Sequence, residues 1–235
     1  YLQSYLNSPA GSPLRISARN VIGANIGQIN HTLVHPAVVR AAASNSDGTR
    51  MSIVYQGGRS QLWDLTTGKP LGEPLGHNGD VRAGQFTPDG KVLMMYDWRG
   101  ARCYDAATGK PLHDKVDHYI NEASIFPPAM SPDGRKMVTR HTKTSVLFRE
   151  VPTGQPVGEP IPLKDGISSF QFTPDGKRLI VRSSRTLHVW DAATRKKVGE
   201  IPDVYSYAMH PDGTTMGVCD VKGKVALWET QTATK

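Results

Sequence analysis

Histidine, cysteine, aspartate and serine carry most nucleophilic, acid–base and metal chemistry, so their spacing comes first. The chain of 235 residues holds eight His and two Cys. His113-Asp114 and Asp117-His118 stand close together, but no further ligands follow at a metal-binding spacing. There is no Cys-x-x-Cys. Cys103 and Cys219 lie far apart in apolar runs, where a thiol packs as a small hydrophobe. A hydrolytic nucleophile needs a base beside it and a third group to orient the base. No Gly-x-Ser-x-Gly occurs, and His188 alternates with Leu187 and Val189 as a half-buried strand residue does. Each Asp-Gly pair leads into a strand-like run, not a helix, which argues against a phosphate-cradling loop. The expectation is no catalytic centre, no metal and no cofactor.

What the sequence does carry is a repeat. Asp-Gly pairs begin at Asp47, Asp89, Asp133, Asp175 and Asp212, at steps of 42, 44, 42 and 37 residues. About 15 residues later comes a second marker: Trp63-Asp64, Tyr104-Asp105, Arg149-Glu150, Trp190-Asp191 and Trp228-Glu229. A third follows as TTGKPLGEPL, AATGKPL, PTGQPVGEPI and AATRKKVGEI. In Thr87-Pro88-Asp89-Gly90, Pro88 presets φ, Asp89 caps the turn and Gly90 accepts a positive φ. Apolar runs on both sides make a hairpin. Four short strands per ~42 residues match one blade of a β-propeller. The predicted fold class is all-β, with four-stranded antiparallel blades. About five units are recognisable, at 37–76, 80–118, 122–162, 166–201 and 203–235. Residues 14–34 read as a partial blade, and 1–13 as a linker or the remnant of an upstream blade.

Leu62-Trp63-Asp64, Val189-Trp190-Asp191, Leu227-Trp228-Glu229, the Pro-Asp-Gly turns and Gly76-His77 resemble the WD-repeat family, and the phrase WDLTTGKPLGEPLGH resembles its bacterial members. The resemblance covers roughly residues 14–235. It implies a buried hydrogen-bond network running from a leading-loop His, through a second-strand Ser or Thr and an Asp, to the third-strand Trp. On this chain its members are His35, Trp63, His77, Asp97, Tyr104, Trp190, Asp220 and Trp228, and the match is partial in every unit. It also implies that the last blade borrows its fourth strand from the N-terminal side. Residues 25–33 are the candidate here, although 14–19 then duplicate a third strand. The favoured account is the C-terminal part of a larger ring, with seven blades expected; a closed ring of five is the alternative.

The turns between second and third strands offer one Lys or Arg in each unit, and in one case a Trp that no core demands. They give Arg59, Trp98, Arg99, Lys143, Arg185 and Lys222 as a binding face, because Trp and Arg are common anchors. The charge of +7, from 28 Lys+Arg against 21 Asp+Glu, hints at acidic partners. No dense basic cluster interleaved with aromatics points to nucleic acid, and no apolar run approaches a membrane span. The expected function is a non-catalytic protein–protein interaction scaffold or regulatory module. The resemblance extends this to a bacterial signalling protein such as a serine/threonine kinase. A propeller-type hydrolase with a central pocket is the alternative. Reduced cysteines suggest the cytoplasm, or an extracytoplasmic site if a membrane segment lies upstream.

Overall fold

The computed structural model describes residues 38–75, 81–97, 100–117 and 127–234. The expectations placed on 1–37, including His35, and on His77, Trp98 and Arg99 lie outside the described residues. Among the described residues there are nineteen strands and no helix. The chain divides into two compact units, residues 1–116 and 117–235.

The first unit holds two antiparallel sheets. One is β1 (Val39–Ser44), β2 (Arg50–Tyr55), β3 (Ser60–Asp64) and β4 (Lys69–Leu71), paired in that order. The other is β5 (Ala83–Phe86), β6 (Val92–Tyr96), β7 (Gly100–Asp105) and β8 (Val116–Asp117), whose last residue is the unit boundary. The second unit holds three. They are β9 (Ala129–Met130) to β12 (Ile161–Pro162) through β10 (Lys136–Thr142) and β11 (Ser145–Glu150); then β13 (Ile167–Phe172), β14 (Arg178–Ser183), β15 (Thr186–Asp191) and β16 (Lys197–Ile201). The last is a three-stranded sheet of β17 (Val204–Met209), β18 (Thr215–Asp220) and β19 (Val225–Glu229). Four-stranded antiparallel sheets with sequential order are the build of a propeller blade.

Local chemistry sets each sheet. The Thr87 hydroxyl donates to Asp89 at 2.6 Å, and Asp89 accepts the Lys91 amide at 3.1 Å, so the turn closes on itself. Ser131 with Asp133, and Thr173 with Asp175, repeat the device. Register then follows. The five markers Trp63, Tyr104, Arg149, Trp190 and Trp228 each pair across the ladder with a Met or Leu: Met51, Leu93, Met137, Leu179 and Met216. The acidic residue after the marker caps the next turn. Asp64, Asp105 and Asp191 each accept two backbone amides and one Thr hydroxyl. Four residues past that acid the backbone is left-handed: Gly68, Gly109 and Gly154, then Arg195 at φ 60° and Ala233 at φ 55°.

Within each unit, neighbouring sheets bury their facing side chains. In the first unit Val54, Leu62 and Leu75 pack with Phe86, Leu93, Met95 and Tyr104. In the second, Val138 and Phe148 pack with Phe170, Phe172 and Leu179, and Ile180, Leu187 and Val189 pack with Met216 and Val218. Each such large side chain contributes roughly 1.5–3 kcal/mol by leaving water. The sheets also touch through glycine. Eight residues after Asp64, Glu150 and Asp191 stand Gly72, Gly158 and Gly199. A Cβ on Gly72 would lie 2.6 Å from the Thr108 carbonyl oxygen, and one on Gly199 2.7 Å from Ala233 Cβ.

Candidate interaction surface

In an antiparallel meander the first and third turns share one end of the sheet, and the second turn emerges at the other. The first and third turns close on their own Asp caps, with side chains such as Lys91 and Lys110 still exposed. The second turn carries the cations that the sequence singles out.

In the second unit these turns are tied into one row. The Ile167 amide donates to the Lys143 carbonyl at 3.0 Å, and Ser184 to Gly166 at 3.3 Å. Val204 donates to the Arg185 carbonyl at 2.7 Å, and Val221 to Asp203 at 2.9 Å. The row fixes the backbones of Lys143, Arg185 and Lys222, while their side chains are exposed. Asp220 completes it by accepting the Lys222 and Lys224 amides, both at 2.9 Å. The Lys224 amide is the first cause that holds the Asp220 carboxyl below its usual range. In the first unit, Arg59 sits exposed in the β2–β3 turn, its carbonyl accepting the Tyr55 amide at 2.8 Å. Lys143, Arg185 and Lys222 are thus brought onto one end of one unit.

The network residues divide. Trp63 Nε1 donates to the Tyr55 hydroxyl at 3.2 Å. Asp97 is fully buried, accepts the Gly100 amide at 2.9 Å and takes an ion pair from Lys115 Nζ at 2.6 Å. Tyr104 is 1% exposed, and burial pushes its hydroxyl up to about 12. Trp190 Nε1 is buried without a hydrogen bond to any described residue, and Ser183 donates to the Asp165 carbonyl at 2.9 Å. Arg149 takes the Trp position and donates from Nε to Thr139 at 3.2 Å and from Nη1 to the Gly154 carbonyl at 3.1 Å. Trp228 packs against the sheet of β13–β16. Asp220 accepts the Lys222 and Lys224 amides in the turn row.

The acid–base candidates fall apart in space. His113 accepts the Cys103 amide at 3.2 Å. His188 lies 3.5 Å from Glu200, and burial lowers its pKa, so the ring is neutral near pH 7. The buried Cys103 thiol is pushed up to about 12. Among the described residues no three of His, Cys, Asp and Glu are placed to hold a metal ion. No helix of the described residues is long and apolar enough to cross a membrane.

Two residues escape sequence reasoning. Lys115 partners Asp97 from 18 residues away, with no local signal. Tyr205 occupies a bulge between Val204 and Ser206 and is 70% exposed. Its carbonyl accepts from Arg182 Nη2 at 2.8 Å. A bulge re-aims a side chain; from sequence, an aromatic in an apolar run reads as core.

Comparison with known proteins agrees with this architecture. Residues 158–191 match the family model of the WD domain, G-beta repeat. The chain is 29% identical over 112 residues to apoptotic protease-activating factor 1 of Rattus norvegicus, covering 45% of this chain and 9% of that protein. It is 23% identical over 184 residues to serine-threonine kinase receptor-associated protein of Gallus gallus, covering 77% and 51%. It is 30% identical over 109 residues to the periodic tryptophan protein 2 homolog of Schizosaccharomyces pombe, covering 44% and 13%. These matches support the WD-repeat family. The chain spans about half, or less, of the length of each of these relatives.

Proposed function

We propose that this chain is a non-catalytic protein–protein interaction module, serving as a scaffold or regulatory part of a larger protein. The observation that carries this is the row of exposed cations on a hydrogen-bonded backbone: Lys143, Arg185 and Lys222 in the second unit. Fixed charges cost little ordering when a partner arrives, and they raise the encounter rate with an opposite charge. The partner is an acidic protein or peptide. Arg59, Trp98 and Arg99 stand at the equivalent turns of the repeat in sequence, and the same binding role is proposed for them. The nature of the relatives supports an interaction role. A bacterial signalling protein such as a serine/threonine kinase, and a cytoplasmic site, complete the reading from the resemblance of the repeats.

The test is capture of partners by the full chain and by a variant carrying Arg185→Glu and Lys222→Glu, quantified by mass spectrometry. The expected result is loss of the partners that salt also releases. Unchanged capture by the variant, or turnover of esters or peptides by the purified chain, overturns the proposal.

A further inference from the structure

Two residues before the marker, on the marker's own face of the sheet, four third strands carry a long side chain: Gln61, Arg102, Leu147 and His188. The ladders set these opposite Ile53, Met95, Thr139 and Val181 in turn. In β19 the same position is Ala226, opposite Val218.

The second unit holds two seams between neighbouring sheets, so the difference can be followed like for like. In the seam between β9–β12 and β13–β16, His188 fills the space, with 13% of its side chain exposed. Its ring lies 3.5 Å from Glu200 and feels the carboxylate of Asp165, from the loop ahead of β13. The fourth strand β16 pairs beside it, so a fourth strand does not replace the bulk of the third-strand side chain. In the seam between β13–β16 and β17–β19 that bulk is missing, and a cavity of about 220 Å³ stands there. It opens on the face of β19 opposite to Val225 and Leu227, between two sheets that are both present.

The walls are apolar. Val218, Ala226 and Trp228 come from the last sheet, and Ile201 and Pro202 from the end of β16. The polar lining is Asp203, Asp220 and Lys224. Asp220 accepts the Lys222 and Lys224 amides through a single oxygen, Oδ1, and among the described residues none donates to its Oδ2. Asp203 comes from the loop ahead of β17, as Asp165 does ahead of β13, and the Val221 amide holds its carbonyl at 2.9 Å. Lys224 is exposed, so its ammonium can stay in water while its stem lines the mouth.

A small apolar slot that ends on a carboxylate oxygen suits a flat ring with an N–H on its edge. The neighbouring seam holds such a ring in His188, beside a loop aspartate. We propose that the cavity at Ala226 binds an imidazole, its ring between Trp228 and Ile201 and its N–H donated to Asp220. The cationic row is a separate site.

The experiment titrates the full chain with imidazole at about pH 8.5, where the ring is neutral, and follows the methyl signals of Ile201 and Val218 by NMR. Both should shift and saturate, with a Kd of about 1–10 mM for so small a ring. N-methylimidazole keeps the ring without the N–H and should bind at least about tenfold more weakly. Asp220→Asn keeps an acceptor for the turn amides and should weaken imidazole about tenfold. Ala226→Leu gives β19 the residue that β11 holds at this position. It should raise the urea midpoint and abolish the imidazole shifts. Acetyl-histidine amide separates the sources: binding as imidazole does assigns the cavity to a partner's histidine, and its exclusion to a free heterocycle. Equal binding of the two rings, binding of neither, or shifts that survive Ala226→Leu overturns the proposal. An Ala226→Leu variant with a lowered midpoint shows the space filled from within the chain, and overturns it too.

Discussion

The guanidinium of Arg195 lies over Gly158 and donates from Nη1 to the Val157 carbonyl at 2.7 Å. Arg195 holds a left-handed backbone to do so, at the position where three other sheets use glycine. The contact shows how adjoining sheets lock through their third turns, and it makes a ranking. Gly72, Gly158 and Gly223 all have positive φ, at 67°, 65° and 81°. Gly72 faces a backbone carbonyl, Gly158 the mobile end of a side chain, and Gly223 open space. Replacement by Ala should cost about 3 kcal/mol at Gly72, about 2 at Gly158 and about 1 at Gly223. Urea midpoints of the three variants check the order, and a Gly223→Ala cost equal to that of Gly72→Ala contradicts it.

The Lys115–Asp97 pair makes a second prediction. Removing one partner of a buried ion pair leaves the other charge uncompensated. Lys115 is partly exposed, with 21% of its side chain accessible, so the cost falls below that of a fully buried pair. Lys115→Met should destabilise by about 2–3 kcal/mol, more than Lys143→Met, whose side chain is exposed and only runs beside Gly166. Equal midpoints for the two would show that Asp97 does not depend on Lys115.

Acid should unfold the protein through its turns. Asp47, Asp64, Asp89, Asp191 and Asp220 titrate below the ordinary 3.8, and Asp212 near 2. For Asp64 the leading cause is the Thr66 hydroxyl, and for Asp191 and Asp212 the backbone amides of Thr194 and Thr214. A lowered folded pKa gives stability that is present above the unfolded value and is lost as pH falls through the folded one. The urea midpoint should hold from pH 6 to about 4 and fall between about 4 and 2. Asp191→Asn should begin lower and fall less. A midpoint independent of pH over that window counts against the caps.

Thiol labelling gives a fourth. Cys103 is buried and its thiol is pushed up to about 12, whereas Cys219 is partly exposed. The native chain should take up one equivalent of a thiol reagent at pH 8, at Cys219, and two in urea. Peptide mapping after labelling locates the first equivalent.

Much of the architecture was legible because turn chemistry is local. Pro-Asp-Gly and the acid–Thr–Gly turns name their own hydrogen bonds, so β5, β6 and β17 to β19 follow from the sequence within a residue or two. The interior bonds were less legible. Nothing near Asp97 announces Lys115, and nothing near Trp190 tells that Ser183 turns to Asp165. Arg149 was visible as a missing Trp, but only geometry shows its Nε donating where an indole would. The cations of the turns were readable one by one. The row that joins three of them depends on bonds between sheets, which no single repeat encodes.

That row has a mechanical consequence. The link from Arg185 to Val204 lies across the seam between the β13–β16 and β17–β19 sheets, and the bond from Val221 to Asp203 extends the β17–β18 ladder beside it. A tether pulling on a turn loads these amides before it reaches Met216 or Val218. Under force the second unit should therefore yield as a staircase, one sheet per step, with the height of each riser set by a handful of bonds at its rim.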